Sequence, residues 1–164
     1  MIVDITVIII AGSVICILAL LIWRTYTNDA RSFYRVYDRL VKEHRLSIHY
    51  KDVFDKKIIG FDGKNRKLLL LDCSEKGKLA FCLDLSDIGS CGVIHRNDPF
   101  SKLPKTVLLE LTEKDTDRRI VFCFYDDACD NAQDRSSLIL KARHWSQRIN
   151  FHKNYWWMGG EEYA

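Results

Sequence analysis

The chain has 164 residues, with 25 Lys and Arg against 22 Asp and Glu and a formal net charge of +3. The basic residues are spread along it, which excludes the concentrated cationic footprint of a nucleic-acid binder. The six cysteines show no CxxC step and no zinc-type spacing to the five histidines, which excludes a disulfide framework and a structural zinc and leaves small buried thiols of a reducing compartment.

Ile5 to Trp23 is a run of nineteen residues without a charge. At about 1.5 Å of rise per residue it matches the hydrocarbon thickness of a bilayer, about 30 Å, and predicts a transmembrane helix, residues 1–24 forming a single-pass anchor. Met1 to Asp4 carries no basic side chain and Ile22-Trp23-Arg24 is a poor cleavage site, so the segment is expected to be retained rather than removed as a signal peptide. Basic residues follow the run and none precedes it. That asymmetry puts the N-terminus outside and the C-terminal domain on the cytoplasmic face of a cell membrane. Gly12 and Cys16 form a small-xxx-small step that lets two such helices approach, so a homodimer is one arrangement it allows.

Residues 25–45 read as an amphipathic helix opening at Thr27-Asn28-Asp29. Phe33, Tyr37, Leu40 and His44 recur at helical spacing, with Arg31, Arg35, Arg39 and Lys42 as a second stripe. Two readings of that basic stripe stand: contact with anionic headgroups, or topology alone with the apolar stripe packed on protein.

From Leu46 the period changes to that of strands. Seven are predicted: Leu46 to Val53, Lys57 to Asp62, Lys67 to Cys73, Lys78 to Leu85, Ile88 to Arg96, Lys105 to Thr112 and Arg118 to Tyr125. Short polar links such as Gly63-Lys64-Asn65-Arg66 join antiparallel neighbours. Val107, Leu109 and Leu111, and Ile120, Phe122 and Phe124, mark a buried face by alternation, whereas Leu68 to Leu71 are apolar on both faces. Gly89-Ser90-Cys91-Gly92 reads as a bulged strand start. A final helix is expected from an Asp130/Gln133 capping box to about Asn150, with Leu138, Ala142, Trp145 and Ile149 on one face.

Seven antiparallel strands followed by an amphipathic helix with an inward Trp145 resemble the pleckstrin-homology-like fold over residues 46–150. The fold class is thus α+β, mainly β: an open barrel capped by the C-terminal helix. A lipocalin-like or plain open barrel fits the same layout. The resemblance implies an interaction module or, where phosphoinositide-type headgroups are bound, a basic cluster. Lys57, with Lys64, Arg66 and Lys67, is similar in type to that cluster, and a solvated hairpin tip is the other reading of the same residues.

Gly-x-Ser-x-Gly, HExxH, phosphate-binding Gly-Lys and nucleotide fingerprints are all missing, so no enzyme activity and no cofactor are expected. Asp84, Asp87 and Asp98 lack EF-hand spacing, and no metal site is assigned. In the tail, residues 151–164, Tyr155, Trp156 and Trp157 are candidates for partner contact or for covering the domain's own surface. The expectation is a membrane-tethered, non-catalytic protein-interaction module whose partner is a membrane or cytoplasmic protein. Binding of anionic lipid headgroups is the alternative.

Overall fold

The computed structural model describes residues 14–18, 32–74, 77–97 and 103–154, and the chain divides into two compact units, Met1–Arg45 and Leu46–Ala164. In the first unit residues 14–18 are helical, and residues 32–43 form helix α1. Phe33 and Tyr37 are buried, while Arg35, Arg39 and Lys42 are exposed.

The expected transmembrane span is corrected here. Among the described residues no helix is long and apolar enough to cross a membrane. Helix α1 is short and charged, and the long C-terminal helix carries Arg135, Lys141, Arg143, Arg148 and Lys153. The other residues of the apolar run, together with Gly12 and Arg31, lie outside the described residues. The single-pass anchor is therefore unsupported, and with it the cell-membrane localisation and the cytoplasmic orientation inferred from it.

The second unit holds seven strands in two antiparallel sheets rather than one open barrel. β1 (Tyr50–Phe54), β2 (Lys57–Asp62), β3 (Lys67–Ser74) and β4 (Gly77–Asp84) form the first, in chain order. β5 (Ile88–Asn97), β6 (Pro104–Glu113) and β7 (Arg119–Asp126) form the second. Short links dictate this meander. The β1–β2 link is the pair Asp55-Lys56, with Asp55 at φ 50, a left-handed value that Asp tolerates better than most residues. Between the sheets a 3-10 turn, Leu85–Asp87, redirects the chain. Asp84 caps it by accepting from Ser86 N–H, and Leu85 is fully buried.

Two local details differ from the sequence reading for identifiable reasons. β1 begins at Tyr50, not Leu46, because the Ser47 N–H donates to the Asp62 carboxylate at 2.7 Å instead of to a ladder carbonyl. A 3-10 turn, Ala132–Asp134, leads into the final helix and is capped by Asn131, whose side chain accepts from Gln133 N–H at 3.1 Å. Asp130 accepts from the Asp126 N–H at 2.7 Å and so closes the turn after β7. The bulge at the start of β5 falls between Ile88 and Ser90, where a Cβ on Gly89 would stand 3.2 Å from the Thr112 carbonyl oxygen. Gly92 meets no such neighbour.

The main core lies between the two sheets and under helix α2 (Arg135–Asn154). Ile59, Phe61, Leu68 and Leu70 face Val107, Leu109, Phe122 and Phe124, with Trp145 and Ile149 entering from the helix. Ile58, Leu69 and Leu71 point the other way and are buried as well, so β2 and β3 are covered on both faces.

Helix α2 is strapped along both flanks. On one flank Ser146 Oγ and Asn150 Nδ2 donate to the Cys91 carbonyl at 3.2 and 2.7 Å, and Lys153 donates to the Gly89 carbonyl. On the other, Trp145 Nε1 donates to Asp52 at 2.7 Å. At the helix start Arg135 donates to the Tyr125 hydroxyl at 2.9 Å and pairs with Asp127. Trp145→Ala is expected to cost about 3–5 kcal/mol through loss of a large buried side chain. Trp145→Phe, which keeps most of the packing and loses the Asp52 bond, should cost about 1–3 kcal/mol. Urea unfolding followed by circular dichroism would measure both, and a Trp145→Phe loss near zero would refute the role given to the hydrogen bond.

Candidate interaction site

Three of the expected anion-binding residues share the β2–β3 hairpin. Asp62 and Lys67 are the last register pair before its tip, and Arg66 takes φ 54. Asp62 organises the turn: it accepts from Asn65 N–H at 2.9 Å and from the Asn65 side chain at 2.7 Å, besides Ser47 N–H. Burial pushes this carboxyl up, but the bonds from Asn65 and Ser47 more than offset it and hold the pKa below the usual value. Gly63 N–H lies 3.2 Å from His49 Nδ1 across the same turn. Arg66 is tied to the end of α2, with Nη2 at 3.5 Å from the His152 carbonyl, where cations suit the helix terminus. Arg66 and Lys67 also act on Asp84. Its burial raises the pKa, while bonds from Ser86 and these two positive charges bring it below the ordinary value. Lys64 is exposed at the tip, as are Gly63 and Asn65, while Arg66 and Lys67 are half-buried. The cluster is largely engaged by its own fold.

Lys57 is elsewhere. It pairs with Asp72 across the β2–β3 ladder, five register steps from Asp62–Lys67, or about 17 Å along the strand. Only 4% exposed, it stands in the cross-strand row Phe54, Lys57, Asp72, Leu79 and lies 3.6 Å from Asp130. This row borders a cavity of about 430 Å³ that also meets Val121, Cys123 and Asp126. The Cys123 thiol is pushed up to about 11, by burial first, with the nearby carboxylates adding to the shift and Lys57 opposing it. Burial pushes Cys91 up to about 11 as well. Neither is a thiolate nucleophile at neutral pH. Among the described residues no group of His, Cys, Asp and Glu is arranged to hold a metal ion.

A different surface combines exposure with a fixed frame. At about 100° per residue, Leu140, His144, Phe151, Arg148 and Lys141 fall within one arc of α2 roughly 100° wide, beside its buried stripe. Leu140 is 55% and Phe151 54% exposed, and Tyr50 of the edge strand β1 is 49% exposed. The Arg148 guanidinium carbon lies 3.4 Å from the centre of the Tyr50 ring, and that ring meets Trp145 edge-on at 6.0 Å. A small recess lined by Tyr50, Asp52, Lys141, His144, Trp145 and Arg148 joins strand to helix. Sequence reasoning passed over this site because it used only the helix's apolar stripe, Leu138, Ala142, Trp145 and Ile149. The Leu140, His144, Phe151 spacing was the available signal. Of the other expected contacts, Arg35, Arg39 and Lys42 are exposed on α1, whereas Tyr155, Trp156 and Trp157 lie outside the described residues.

No family model, curated protein or solved structure matches this chain.

The hydrogen bonds at Asp62 carry a pH dependence. Because its folded pKa is depressed, its stabilisation is full above the unfolded value of about 3.9 and is lost as pH falls through the lower folded value. Asp62→Asn is expected to lower stability at pH 7 and to flatten the fall in unfolding free energy below about pH 4. Urea titrations at a series of pH values would test this, and an unchanged acid slope would contradict it.

Proposed function

We propose that the Leu46–Ala164 unit is a non-catalytic protein-interaction module of pleckstrin-homology-like type, which engages its partner through the face shared by α2 and β1. The observation that carries this reading is a set of three large side chains held about half exposed, Leu140 and Phe151 on the strapped helix and Tyr50 on β1 beneath Arg148. Aromatic residues and Arg are the types enriched where proteins meet, and a helix fixed on both flanks loses little freedom on binding. The order of four strands, three strands and a capping helix with Trp145 turned inward supports the assignment of type. Headgroup binding by Lys64, Arg66 and Lys67 has less support, since Arg66 is tied to α2 and Lys57 is buried far from them.

A photo-crosslinking amino acid placed at Leu140 or Phe151 of the full chain, in the source cell, is expected to give discrete protein adducts. The same group at Arg119, an exposed position of β7, should not. Adducts of equal pattern at all three positions, or none at the first two, would overturn the proposal.

A further inference from the structure

The α2–β1 face has a sign. Lys141, His144 and Arg148 lie on consecutive turns of the helix, spanning about 10 Å from first to last. The carboxylate beside them, Asp52, already accepts the Trp145 Nε1 bond and stands 4.0 Å from Lys141, so its charge is met from within the fold. Arg148 is held differently. Its guanidinium rests on the Tyr50 ring, and a guanidinium stacked by its face keeps its in-plane N–H groups for an acceptor at its edge. Among the described residues no carboxylate pairs with Arg148. Leu140 and Phe151 border the same cations with apolar area.

From this arrangement, and resting on the interaction reading above, we infer that the partner presents an acidic segment with interleaved apolar residues. Its carboxylates meet Arg148 and Lys141 while its apolar side chains cover Leu140 and Phe151. A guanidinium edge accepts a carboxylate in bidentate geometry, which supplies direction as well as charge. Two cations within two turns, Lys141 and Arg148, with the His144 imidazole between them and Leu140 and Phe151 at either end, suit two carboxylates on one short segment. They do not form the extended stripe that tracks a phosphate backbone.

The test uses the full chain, labelled for chemical-shift mapping, and three blocked nonapeptides: one alternating Glu with Leu, its Gln counterpart and its Lys counterpart. Phosphatidylglycerol vesicles and a single-stranded thymidine oligonucleotide form two further arms. The Glu peptide is expected to shift Tyr50, His144 and Arg148 and to bind about tenfold or more tightly than the Gln peptide. Binding should weaken with added salt and be lost in Arg148→Glu and in Lys141→Glu. Because Arg148 also packs on Tyr50, the exposed variant His144→Glu provides a reading free of that contact, expected to weaken the Glu peptide several-fold with an unchanged circular dichroism spectrum. Equal affinity for the Glu and Gln peptides, or tighter binding of vesicles or oligonucleotide at these residues, overturns the acidic assignment. If no peptide shifts this face while crosslinking at Leu140 still yields protein adducts, the interaction reading stands and the acidic partner falls. If neither occurs, both fall.

Discussion

The hydrogen bond from Trp145 to Asp52 is the constraint on which the arrangement of the second unit turns. Trp145 belongs to the last helix and Asp52 to the first strand, so the bond joins the two ends of the folded unit across the core. An indole buried without a partner for its N–H is penalised, and a carboxylate drawn from water needs donors. Each group answers the other's requirement. Once Trp145 is placed, the helix has one rotation about its axis. Ser146, Asn150 and Lys153 then fall on the carbonyls of β5, and Arg148 falls on Tyr50.

That rotation also decides which side chains remain outside. The flank that meets β5 uses its polar groups on main-chain carbonyls of a sheet edge, which covers part of that edge and removes it as a template for another strand. The opposite flank is held by side chains alone, through Trp145, Lys141 and Arg148. Beyond it Leu140 and Phe151 are left at the surface. The interaction face is thus a consequence of how the helix is fastened.

Charge is distributed by the same logic. Lys57 lies in a buried row with Asp72 and beside Asp130, Arg66 reaches the end of α2, and Arg135 joins Tyr125 and Asp127. Residues that look alike in composition therefore do unlike work. A lysine in a strand with a cross-strand aspartate belongs to the fold, whereas an arginine stacked on an exposed tyrosine faces outward.

The strands and the final helix were legible because burial imposes a period on the chain. The Val107, Leu109, Leu111 alternation and the Leu138, Ala142, Trp145, Ile149 stripe are local records of which side is dry. The N-terminal run differs: its hydropathy predicts a span, whereas among the described residues no helix is long and apolar enough to cross a membrane. Lys57 and Arg66 looked alike because a residue's ion partner is set by contacts far away in the chain, and Asp130 and His152 lie beyond any local window. Residue order alone therefore determined the period, the faces and the elements. The packing of α2 across both sheets decided which cations are consumed internally and which face solvent, since that outcome depends on distances between residues that only folding brings together.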